Sequence, residues 1–166
     1  MASSVSNNKL GFICRNEVFQ NLKVDAISLG STNTKVGMTL ACEIDLSTTG
    51  KSGGNHNCVV AGNTSTSATL PAGYKVIRSS IRVLSTIVAG SAINLSIGTT
   101  SNPAVFQSAT PYNSAPFDAI STTLKCTSQT SAYEVQNDGE NIIYNLDGAA
   151  TSGGHMFVYL ELVPIN

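Results

Sequence analysis

Two histidines, four cysteines and ten acidic residues are the groups in this 166-residue chain that could bind a metal or move a proton. His56-Asn57-Cys58 sets an imidazole beside a thiol, with Cys42, Cys126 or His155 as remote ligands. Structural zinc sites draw their ligands in tight pairs such as Cys-x2-Cys. A single His-x-Cys reads better as a loop histidine next to a buried strand cysteine. Gly50-Lys51-Ser52 invites comparison with a phosphate-binding loop, but that loop needs a glycine where this chain has Asp45, and no helix can start in the SGGNHN that follows. Glu43 and Asp45 fall on one face of one strand, whereas the carboxylates of a glycosidase flank the bond from separate elements. They read as a solvated face. Asp138-Gly139-Glu140 and Asp147-Gly148 read as turns, since calcium demands more converging oxygens. No serine stands in Gly-x-Ser-x-Gly, and Asn63-Thr64-Ser65 and Asn94-Leu95-Ser96 match the glycosylation pattern by chance. No catalytic, metal or cofactor site is expected, and the chain is not expected to be an enzyme.

Composition narrows the class further. Hydrophobic residues make up 42% of the chain, too many for a disordered segment, while charged residues are only 11%, far below the usual quarter. Ser, Thr, Asn and Gly take their place, which gives a polar but uncharged surface suited to large assemblies or to life outside cells. The net charge is −1 and the nine Lys and Arg are scattered, so the clustered cations that nucleic acid requires are missing. No apolar run approaches 18 residues, so no membrane helix is expected. The N-terminus MASSVSNNKLGF shows no basic region leading into an apolar one, and synthesis in a cytosol is the expectation. Cys14, Cys42, Cys58 and Cys126 are widely and irregularly spaced, and free buried thiols are expected, with a later disulfide left open.

The elements that must position these groups are strands. Residues 70–98 open on the turn signal Pro71-Ala72-Gly73. In 76–88, Ile77, Ser79, Ile81 and Val83 share one face and Arg78, Ser80 and Arg82 the other. Ala89-Gly90-Ser91 breaks the run, and Ile93, Leu95 and Ile97 then alternate with Asn94 and Ser96. This period of two predicts two antiparallel strands with one buried face, at the centre of a β-sandwich.

Further strands are expected over 23–29 and over 34–46, where Val36, Met38, Leu40, Cys42 and Ile44 alternate with polar residues. Short strands are expected at 58–60, around Leu124 and Cys126, around Tyr133 and Val135, and over 141–146. The last strand, 155–163, carries Met156, Val158, Leu160 and Leu162 on one face and Phe157, Tyr159 and Glu161 on the other. Two such faces imply a central strand, or one lying against a neighbouring subunit. Residues 47–57 and 147–154 read as loops, 61–68 as a loop or a weak strand with a polar face, and Asn102-Pro103 could open a brief helix at 104–107. The expected architecture is all-β: an antiparallel β-sandwich or jelly roll over 23–166 with an extended N-terminal arm over 1–22, the alternative for that segment being a short helix or strand packed on its own domain. The arm's apolar residues Phe12, Ile13, Val18, Phe19 and Leu22 are candidate anchors for a partner surface or a sister subunit.

The order Leu70-Pro71-Ala72-Gly73, then the strand over 76–88, then Ile93 to Gly98-Thr99, then Asn102-Pro103-Ala104-Val105-Phe106 resembles the cement (decoration) proteins of tailed-bacteriophage capsids. The closing Gly153-Gly154-His155-Met156-Phe157-Val158-Tyr159-Leu160-Glu161-Leu162 is similar to their last strand. The likeness spans roughly residues 70–106 and 141–163, and the N-terminal third takes no part in it. It implies a jelly roll on the virion surface, a homo-oligomer with a trimer favoured over a dimer, and the major capsid protein as partner. The implied task is mechanical: to bridge capsomers and hold the head against internal DNA pressure. A receptor- or carbohydrate-binding β-domain of a phage fibre or spike is the alternative. With no Trp in the chain, the loop aromatics Tyr112 and Phe117 would have to stack on sugar.

Overall fold

The computed structural model describes residues 27–29, 32–34, 37–47, 51, 53–63, 65–129, 131–136 and 138–165. Among them there is no helix. The strands are β1 (Ile27–Leu29), β2 (Thr32–Thr34), β3 (Met38–Asp45), β4 (Gly54–Asn57), β5 (Val59–Val60), β6 (Thr69–Leu70), β7 (Tyr74–Ala89), β8 (Ile93–Thr99), β9 (Gln107–Pro111), β10 (Lys125–Cys126), β11 (Tyr133–Glu134), β12 (Glu140–Gly148) and β13 (Thr151–Pro164). β1 and β2 pair with each other. The others build two antiparallel sheets. The first runs β10-β7-β13-β3-β5, with β11 also on β7, and the second runs β4-β12-β8-β9, with β6 also on β12.

The chain crosses between the sheets at almost every connection: β3 to β4, back to β7, across to β8, then β9, back to β10, across to β12 and back to β13. That winding is a jelly roll. The expected all-β sandwich is therefore the observed fold. The strands over 76–88 and 93–97, however, do not pair with each other. β7 lies between β13 and β10, and β8 lies between β12 and β9 in the opposite sheet, with the chain crossing between them at residues 90–92. Both are interior strands, so the buried face that each carries is shared across the sandwich rather than along one sheet.

Alternation explains the core. Cys42 and Ile44 of β3, Val76, Ile81, Val83 and Ile87 of β7, and Met156, Val158, Leu160 and Leu162 of β13 face Ile93, Leu95 and Ile97 of β8 and Ile142, Tyr144 and Leu146 of β12. Phe106 and Phe117 enter from loops and are fully buried. One sequence expectation fails here for a local reason. Arg78 stands opposite Glu161 and Val76 opposite Leu162, so Ile77 has no partner in β13. This extra residue shifts the pleat by one. Val76 turns inward, and Ile77, expected on the face of Ile81, is 46% exposed.

Other local expectations also differ. Residues 54–57 are strand β4 despite having no apolar side chain, because their backbone pairs with β12, Gly54 opposite Leu146 and Asn57 opposite Ile143. Of residues 147–154, expected in a loop with a turn at Asp147-Gly148, 147–148 belong to β12 and 151–154 to β13. The helical turn at 104–107 does not form. Instead Thr99 N–H donates to Asn102 O, Ser96 Oγ donates to Pro103 O at 3.1 Å and Phe106 N–H donates to Ile97 O, which folds 99–106 back over the outside of β8. Gly98 permits this approach. A Cβ there would lie 2.1 Å from Asn102 O and 2.5 Å from Pro103 C. The predicted turn at Gly73 does form, with a φ of 76° that favours glycine.

Candidate docking face

The two sheets differ on their outer sides. The outside of β8 is covered by the chain's own 99–106 segment, which leaves Ser96 buried. The outside of the β3-β13-β7 sheet presents side chains in register, row by row. Asp45, His155 and Ser85 form one row; Glu43, Phe157 and Arg82 the next; then Ala41, Tyr159 and Ser80; then Thr39, Glu161 and Arg78. Val59 of β5 extends the second row and Cys126 of β10 the third.

Down the middle of this face runs an aromatic ladder on β13. The His155 and Phe157 rings are 5.5 Å apart and tilted; Phe157 and Tyr159 meet edge-on at 6.4 Å. All three residues are half-buried. The polar groups are sorted by strand. Acid lies on β3, where Glu43 Oε1 meets His155 Nε2 at 2.6 Å and Glu43 Oε2 accepts the Gly62 N–H at 3.0 Å. The Asp45 carboxyl accepts the Ser47 hydroxyl and backbone N–H, which hold it below its usual range against the opposing effect of burial. Base lies on β7, where Arg78 sits 3.7 Å from Glu161 and 3.5 Å from Cys126 Sγ. Arg82 is exposed and makes no ion pair among the described residues. The solvated face expected for Glu43 is thus a bonded one: its side chain is 13% exposed.

The residues considered for chemistry do not converge. His56 stacks on Tyr144 at 5.2 Å, while Cys58 is fully buried. Burial, then the adjacent Cys42 thiol, pushes the Cys58 thiol well above its usual pKa, so the thiolate that metals and electrophiles require is disfavoured. Cys42, Cys58 and Cys126 are free; Cys126 is exposed rather than buried as expected. No group of three His, Cys, Asp or Glu able to hold a metal occurs among the described residues. The His155 ring meets Glu43 and Phe157 rather than a hydroxyl or thiol. Lys51 bridges to Thr151 through the backbone, away from any helix. Of the loop aromatics proposed to stack on sugar, Phe117 is fully buried and Tyr112 packs against the core. The arm and its anchors Phe12, Ile13, Val18, Phe19 and Leu22 lie outside the described residues.

One polar cluster had no signal in the sequence. Glu140, expected in a turn, begins β12 and is only 8% exposed. Its carboxylate accepts Tyr133 OH at 2.9 Å and the Ser101 hydroxyl. Burial raises its pKa, but the hydrogen bonds from Ser101, Thr99 and Tyr133 together outweigh that and leave it lowered. Three segments distant in sequence meet there, and no local pattern announces such a meeting.

No described protein family and no curated protein sequence matches the chain. Its fold is similar to solved structures that include two phage capsids. One is a chain in the cyanophage Pam1 capsid asymmetric unit, with a TM-score of 0.54 at 12% identity, covering 89% of this chain and 99% of that one. The other is a chain in the acid-stable capsid of Helicobacter pylori bacteriophage KHP30, with a TM-score of 0.50 at 13% identity, covering 76% and 86%. At such identities the likeness is one of fold: this chain is a jelly roll of the kind found in phage capsids.

Proposed function

We propose that the chain is a bacteriophage capsid cement protein, a structural component of the virion surface that binds across capsomers of the major capsid protein. The observation that carries this reading is the jelly-roll winding shared over most of the chain with chains of two phage capsids. The scarcity of charge supports it, because few ionic groups must be desolvated when a broad surface docks. An interface of typical size, about 1,600 Å², repeated at every equivalent position would bind only the assembled shell and stabilise it by mass action. The task is mechanical rather than catalytic, and the protein acts as a homo-oligomer made in the host cytoplasm. The receptor-binding reading is weakened by the burial of Phe117 and the packing of Tyr112 against the core.

Co-sedimentation tests the choice. The purified protein is expected to pellet with expanded capsids of its phage and not with host cells; the reverse pattern would establish the receptor-binding reading. Deleting residues 1–20 is expected to abolish capsid attachment while the thermal transition of the β-domain persists. Attachment that survives the deletion contradicts the role assigned to Phe12, Ile13, Val18 and Phe19.

A further inference from the structure

The charge pattern on the outer face of the β3-β13-β7 sheet points to its occupant. Acid stands on one side of the aromatic ladder and base on the other, at matched heights: Glu43 and Arg82 are both in register with Phe157. Turn a second copy about an axis parallel to β13 and lay it face to face on the first. Each row then meets its own row with left and right exchanged. The Arg82 side of one copy comes over the Glu43 and Asp45 side of the other, while His155, Phe157, Tyr159 and Glu161 meet their own counterparts on the axis, each Glu161 carboxylate standing beside Arg78 of its own copy. An axis perpendicular to β13 would set acid over acid and base over base. We propose that this face is an isologous two-fold interface between copies of this chain.

The remaining features fit a copy better than a charged partner. The face carries both signs in balance, so a strongly acidic or basic surface would meet as much repulsion as attraction. Arg82, exposed and without an ion-pair partner among the described residues, is the group a second copy would satisfy. The half-buried aromatics offer the stacking centre that such contacts use. At usual strand spacing the sheet outlines on the order of 600 Å² per copy, at the lower edge of specific interfaces, so the contact is weak and strengthens wherever copies are arrayed. A two-fold face closes at two copies and therefore favours a dimer over the trimer that the family resemblance implies. The inference goes beyond the cement reading and does not depend on it.

Sedimentation velocity on the full chain under reducing conditions tests the interface, in the absence of capsids. A monomer–dimer equilibrium is expected in the micromolar range or above. Phe157→Glu is expected to weaken it by about 100-fold and Arg82→Glu by about tenfold, whereas Asn145→Cys on the other sheet leaves it unchanged. Arg82 is exposed, so its variant tests the contact even if Phe157→Glu disturbs folding. With Cys14→Ser and Cys126→Ser as background, Tyr159→Cys is expected to be joined into dimers by a short bis-maleimide that spans the roughly 10 Å between packed sheets, and Asn145→Cys is not. A monomer at every concentration, a trimer, or a dimer indifferent to both Arg82→Glu and Phe157→Glu would overturn the proposal. Because no capsid is present, such a failure leaves the attachment across capsomers untouched, and failed co-sedimentation leaves this interface untouched.

Discussion

Glu140 shows how a single residue can tie the fold together without any chemistry being asked of it. Its carboxylate joins the loop after β8, the Tyr133 hydroxyl of β11 and the start of β12. The charged form is the one that accepts these bonds, and its pKa is held below the ordinary glutamate range. The sign follows: the stabilisation is fully present above the unfolded value of about 4.3 and is lost as pH falls through the lower folded value. Glu140→Gln is expected to destabilise the protein by about 1–2 kcal/mol near neutrality. In urea titrations across pH, the gap between the two proteins should close below about pH 4. A gap that stays constant, or widens in acid, would show that the carboxylate's charge is not what holds the three segments. The contrast with Cys58 is instructive. Its spacing from His56 was visible in the sequence, yet alternation buries its thiol, whereas Glu140 looked like part of a turn and is the bonded group.

At the scale of elements, the strands were legible wherever one face is buried, because burial writes a period of two into the side chains. β13 is the clearest instance: Met156, Val158, Leu160 and Leu162 are buried and Phe157, Tyr159 and Glu161 stand on the other face as read. β4 was not legible, because an edge strand that pairs through its backbone with β12 needs no apolar residue. Nor was the bulge at Ile77, where one unpaired residue reverses the face without changing composition. Sheet membership was also beyond local reading. Adjacent strands such as β7 and β8 can pair or cross the sandwich, and the Gly90 break serves both. The passage of 99–106 over β8 makes a sharp prediction. Gly98→Ala drives a Cβ into the backbone of Asn102 and Pro103 and is expected to cost about 3 kcal/mol or more in chemical denaturation. Gly90→Ala, with no atom within 4 Å of the new Cβ, is expected to change stability by less than about 0.5 kcal/mol. Equal effects at the two sites would mean that the 99–106 segment does not lie on β8.

For the whole molecule, the sequence pointed to a docking surface but placed it in the arm; the docking face proposed above lies on the open side of one sheet. Its aromatic ladder was half visible, since Phe157 and Tyr159 were read as a second apolar face. The pairing of acid on β3 with base on β7 needed the register. The jelly roll has one sheet whose β8 is covered by the chain's own 99–106 segment and one sheet with an open, patterned outer side. The most direct measurement is a reconstruction of the phage particle at side-chain resolution. The account predicts density for this jelly roll on the outer shell, seated across the junctions between major capsid subunits. Density for the chain confined to a fibre or spike tip, or its absence from the shell, would contradict it.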